Sequence, residues 1–167
     1  MRARLYKQSS YKTGIEVALL WSVRAWVIDC TGPKFVASGD RILQLWSDLG
    51  LPIVAEYIDG MMWALAYGRR RTLRIHCLST PVISADEAAL LSAIARARAS
   101  KDNFVISKLS AMVMPGAAAA ICNGARRLRC VLAAAGHTLP QDEATLLERA
   151  ALGNVLQSAG AASPYVH

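Results

Sequence analysis

The sequence predicts a mainly α-helical fold, a compact orthogonal bundle of about six to seven helices with a minor short β-ribbon around residues 72–78. Three observations carry that class. Apolar residues recur at spacings of three and four through most of the chain. Capping patterns, Ser84 with Glu87 and Thr138 with Gln141, announce helix starts. Strand-like alternation is confined to residues 72–78, with Leu73, Ile75 and Cys77 on one side and Thr72, Arg74 and His76 on the other.

Taken in order, residues 1–13 form a polar, basic arm with weak order of its own. From Gly14 to Cys30 apolar residues fall on every side of the helical wheel, Trp21 and Trp26 among them, which predicts a central buried helix. Gly32 and Pro33 break it, and Ser38 or Asp40 caps a helix carrying Ile42, Leu45, Trp46 and Leu49 on one face, ended by Gly50. Pro52 opens the next helix, whose core face is Val54, Tyr57, Ile58, Met61, Met62 and Leu65 and which Gly68 ends. The strand of residues 72–78 cannot satisfy its own backbone, so it needs a partner. Residues 34–38 of this chain, or the same strand of a second copy, are the candidates. Ser84 then starts a helix with Asp86 and Glu87 in its first turn and Arg96 and Arg98 near its end, as the helix dipole favours. A further helix spans residues 103–113, and Pro115 and Gly116 start a long one to Ala135. Thr138 caps the last helix, through Leu156. This gives one helical domain over residues 14–158, with a frayed tail over 159–167.

Composition limits the function. Apolar residues make up 54% of the 167 and charged residues 19%, which excludes a mainly disordered chain and leaves few charges to cover a monomer. Some apolar surface is therefore expected to lie against a partner. The most apolar run, residues 15–30, contains Glu16, Arg24 and Asp29 and falls short of the roughly 20 residues a spanning helix needs, so membrane insertion is not expected. Glu16 and Arg24 also interrupt any signal-peptide core, and the cytoplasm is the expected compartment. Cys30, Cys77, Cys122 and Cys130 make no metal-ligand spacing and are expected to be buried, reduced thiols.

The net charge of +7 is uneven. Arg69, Arg70, Arg71 and Arg74 lie in a stretch without acids and are the candidate contacts for an acidic partner, protein or nucleic acid. The helices on either side of Gly50, followed by that basic segment, have the outline of a winged helix-turn-helix. Glu56 and Asp59 stand where such a reading helix needs basic or amide side chains. His76 and Cys77 point to opposite faces of a strand and cannot form a nucleophile–base dyad. Residues 32–40 lack the glycine and lysine pattern of a phosphate loop. Neither catalytic residues nor a metal or cofactor site are indicated.

One stripe stands out. Glu56, Gly60, Trp63 and Tyr67 line up on the side of their helix opposite the core, so aromatic groups sit where solvent is expected. These four are the candidate subunit interface. The expected function is that of a non-catalytic interaction or regulatory protein acting as a homo-oligomer. A nucleic-acid-associated regulator is the alternative, followed by a small-molecule-binding protein or an enzyme of unknown reaction.

Overall fold

The computed structural model describes residues 14–32, 38–98 and 102–160, with side chains over 14–32, 40–98 and 102–152. Among the described residues there are seven helices, α1 (Ile15–Thr31), α2 (Ser38–Asp48), α3 (Ile53–Gly68), α4 (Ala85–Arg96), α5 (Asn103–Leu109), α6 (Pro115–Ala134) and α7 (Glu143–Gly160). The basic arm, residues 34–37 of the candidate partner strand, and the tail beyond Gly160 lie outside the described residues.

The mainly helical fold read from the periodicity is the one observed. Helix α1 is buried along most of its length and contacts α2, α3, α4 and α7. That placement follows from its composition, since a helix apolar on all sides finds no favourable orientation at a surface. One apolar core draws on α1 (Leu19, Leu20), α2 (Trp46), α3 (Ile58, Met62), α4 (Leu90, Ile94), α5 (Leu109), α6 (Ile121, Leu128) and α7 (Leu146).

The most extensive helix pairing is α3 on α6. Two glycines allow it. A Cβ on Gly124 would stand 2.5 Å from Met61 Cγ, and one on Gly68 would overlap the Ala117 side chain. Gly68 ends α3 as expected and also serves its packing against α6. The turns at Gly50 and Gly136, at φ +76° and +83°, do use glycine's access to the left-handed region.

Several local expectations need correction. Residues 72–78 form no strand: the one β-bridge among the described residues joins Arg69 to Val113, and no ribbon is built on it. Extended backbone there is satisfied instead by carboxylates. Asp86 Oδ2 accepts from Arg74 N–H at 2.7 Å, Glu87 Oε1 accepts from His76 N–H at 3.0 Å, and Ser84 Oγ donates to the Arg74 carbonyl. Helix α5 stops at Leu109, short of residue 113. Helix α7 begins at Glu143, and Asp142 rather than Thr138 caps it by accepting from Thr145 N–H at 2.8 Å. Gln141 does not close a capping box there. Its amide donates to the Ala95 carbonyl at 2.9 Å and its oxygen accepts from Arg98. Helix α2 starts at Ser38, which places Asp40 in the first turn. Of the cysteines, Cys122 is buried, Cys30 half-buried, and Cys77 and Cys130 exposed, with no disulfide. The Cys77 sulfur lies beside the hydroxyls of Thr80 and Ser79, at 3.0 and 3.7 Å, and is exposed, unlike Leu73 and Ile75, which pack on the core.

No helix among the described residues is long and apolar enough to cross a membrane.

Candidate functional site

Two parts of the molecule hold the residues singled out by the sequence: the outer face of α3, and the segment from Arg69 to Glu87.

On α3 the predicted stripe is present. Glu56, Gly60, Trp63 and Tyr67 are all exposed, on the side away from buried Val54, Ile58, Met61, Met62 and Leu65. Tyr67 is 83% exposed and Trp63 39%. The two rings stack at 5.2 Å between centroids and 16° between planes, and Trp63 meets the Trp26 ring edge-on at 5.1 Å and 88°. Trp26 is in turn held by donating from Nε1 to Asp59 Oδ1 at 2.8 Å. Asp59 is therefore a positioning contact for the aromatic row, a role its appearance as a solvated acid does not suggest. Each ring of the row packs against its neighbour, and offset or edge-on ring pairs add about 0.5–1.5 kcal/mol beyond area burial.

Two concavities adjoin this row, both lined in part by Trp26. One, of about 400 Å³, is lined by Trp26, Met62, Trp63, Arg69, Leu73 and Ile75. The other, of about 270 Å³, is lined by Ile42, Leu43, Ala55, Glu56 and Asp59 with Asp40 and Trp26. The first carries arginine at its edge, the second three carboxylates.

The Arg69–Glu87 segment is organised by a buried ion pair. Arg24 Nε donates to Glu87 Oε1 at 2.7 Å and Nη2 to Oε2 at 3.0 Å, and both side chains are fully buried. Arg24 also donates to the carbonyls of Thr80 and Val82, both at 2.7 Å. Glu87 further accepts from Ser84 N–H at 2.8 Å, completing the capping box of α4. Burial pushes the Glu87 carboxyl up, and the Arg24 guanidinium with the backbone N–H groups of Ser84 and His76 outweighs that, holding it below the usual carboxylate range. Beyond complementing the helix dipole, Asp86 and Glu87 tie α1 and the 70–83 segment to the start of α4. A lone arginine in a helix apolar all round was the available signal, because such a charge requires a buried partner.

Of the predicted basic contacts, Arg71 is committed. Its guanidinium donates to both oxygens of Asp86, at 3.0 and 2.6 Å, and that bond holds the Asp86 carboxyl below its ordinary range. Arg69 donates to the Ala66 carbonyl and Arg70 to that of Ser110, while Arg74 lies exposed beside a hollow of about 540 Å³ shared with Arg71 and His76. The wing of a winged helix-turn-helix is not formed, because residues 72–78 do not pair into a hairpin.

His76 and Cys77 do not meet as a dyad. His76 Nδ1 faces the Val82 carbonyl at 3.1 Å and Glu87 Oε2 at 3.5 Å, two acceptors, so this nitrogen carries the hydrogen. The Cys77 sulfur lies 3.0 Å from the Thr80 hydroxyl and 3.7 Å from that of Ser79, which lower its pKa in that order. Among the described residues, three or more His, Cys, Asp or Glu side chains nowhere gather to hold a metal ion.

Comparison of the chain with protein-family models, curated proteins and solved structures finds no match.

Proposed function

We propose that the chain is a non-catalytic interaction protein of the cytoplasm that acts as a homo-oligomer, using the outer face of α3 as its contact surface. The carrying observation is the exposed Trp63–Tyr67 stack, braced by Trp26 and open to solvent. Aromatic side chains beside concavities are the surface type most enriched at the centres of protein interfaces, since they bury large area with little loss of side-chain freedom. Low charge content across the chain supports the same reading. Sedimentation equilibrium in the micromolar range tests it. The expected result is a mass above that of one chain that falls towards the monomer in Trp63→Ala. A wild-type chain that stays monomeric at all concentrations overturns the proposal.

A second reading, contact with nucleic acid or an acidic protein, is favoured by four exposed arginines within six residues, of which Arg71 alone forms an ion pair among the described residues. It requires heparin or duplex binding that weakens steeply with salt and with Arg70→Ala and Arg74→Ala. Retention that is insensitive to both substitutions removes it.

A further inference from the structure

Four glycines lie in the paired helices α3 and α6, and they are not equivalent: Gly116 sits in the first turn of α6, where a helix start tolerates it, and the other three are interior or terminal to α3 and α6. Gly124 and Gly68 are needed where they stand, because a Cβ on either would collide with the facing helix. Gly60 is different. It is exposed in the middle of α3, and nothing among the described residues lies within 4 Å of the Cβ it lacks. Glycine inside a helix is less stable than alanine, and among the described residues no close contact offsets that loss. A close approach from outside the chain would account for it.

Position along α3 indicates what approaches. The stripe is half ridge and half notch: Trp63 and Tyr67 project from its C-terminal half, while Gly60 leaves the N-terminal half low. Glu56 and Tyr67 are equidistant from the midpoint between Gly60 and Trp63, all four falling on one helical face. Such a surface complements itself when turned end for end. Charge agrees with this: the concavity beside the notch is lined by Asp40, Glu56 and Asp59, and the one beside the ridge by Arg69.

We infer that the partner on this face is a second copy of the chain, packed with α3 antiparallel to α3 about a two-fold axis between Gly60 and Trp63. Trp63 of each copy then lies over the partner's Gly60. Tyr67 enters the concavity lined by the partner's Leu43 and the partner's Glu56, and Arg69 faces the acids of that concavity. A two-fold contact makes each of these pairings twice, which is how a small patch reaches useful affinity. Antiparallel helices also place opposite dipole ends together.

This register rests on the self-association proposed above, and the experiment separates the two. Dimer dissociation constants are measured by sedimentation for the wild type, Gly60→Leu, Glu56→Arg and the double variant Glu56→Arg/Arg69→Glu, with circular dichroism to confirm that each is folded. Gly60→Leu has open space in one chain and is expected to fold normally yet to weaken the dimer about tenfold or more, as overpacking at a close contact does. Glu56→Arg is expected to weaken it about tenfold, and the charge-swapped double variant to return to within about threefold of wild type. A wild type that dimerises while Gly60→Leu leaves its constant unchanged, or while the swap fails to restore binding, overturns the register and leaves self-association standing. A monomeric wild type overturns both.

Discussion

The N-terminus of α4 and the outer face of α3 break the same rule in opposite directions. At α4 an arginine and a glutamate are fully buried, and on α3 a tryptophan and a tyrosine are exposed. The buried charges are answered within the chain: Arg24 reaches Glu87 and two carbonyls, and Glu87 accepts from Ser84 and His76 as well. Among the described residues the ring contacts of the exposed pair are with one another and with Trp26. A polar group removed from water has to find its partners during folding, whereas an apolar group left in water can wait for a second molecule. The first region is thus a fixture of the fold, and the second is a surface open to a second molecule.

The largest expected effect comes from breaking the buried pair. Arg24→Ala strands the Glu87 carboxylate and is expected to cost about 3–5 kcal/mol in denaturant unfolding, while Arg24→Met/Glu87→Met is expected to lose less than the single variant because neither charge remains. A loss below about 1 kcal/mol in Arg24→Ala would place the pair among ordinary surface contacts and dissolve the contrast.

Acid acts on the same region. Glu87 and Asp86 both titrate below their ordinary values when folded, so the stability they confer is present above the unfolded carboxyl pKa, about 4, and is lost as pH falls through the lower folded values. Thermal melts from pH 7 to pH 3 are expected to show this decline, and Glu87→Gln to flatten part of it. An acid limb of the same steepness in Glu87→Gln would show that other groups carry it.

On α3 the effects on one chain are smaller. Gly60→Ala, measured at a dilution where association is absent, is expected to raise stability by about 0.5–1 kcal/mol, since the helix gains and nothing is displaced. Destabilisation would reveal a contact within the chain that needs the glycine. Tyr67→Ser is expected to change monomer stability by no more than about 0.5 kcal/mol, as befits a side chain 83% exposed. A large loss would make the ring part of the core rather than of an interface.

The two regions also differ in how legible they were in the sequence. The α3 stripe is a local pattern, four residues at helical spacing, and the local period alone places it. The capping box of α4 is local too, and Ser84 and Glu87 form it as their spacing requires. The Arg24–Glu87 pair joins residues 63 apart, and no local period reports a contact of that range. Arg24 was visible as an oddity in an apolar helix, but which acid answers it depends on how the helices pack. The 72–78 segment lies between these cases. Its alternation is real, with Leu73 and Ile75 packed on the core and Thr72 and Arg74 exposed. What alternation does not encode is whether a neighbouring strand or a pair of carboxylates receives the backbone N–H groups, and here Asp86 and Glu87 do.

Hydroxyl-radical footprinting of Tyr67 across a dilution series reads the most exposed aromatic group of the proposed interface in the wild-type chain. Tyr67 and Trp63 are expected to be protected at high concentration and to lose that protection on dilution, with the exposed Phe104 ring modified equally throughout. A Tyr67 modified at one rate at every concentration would contradict it.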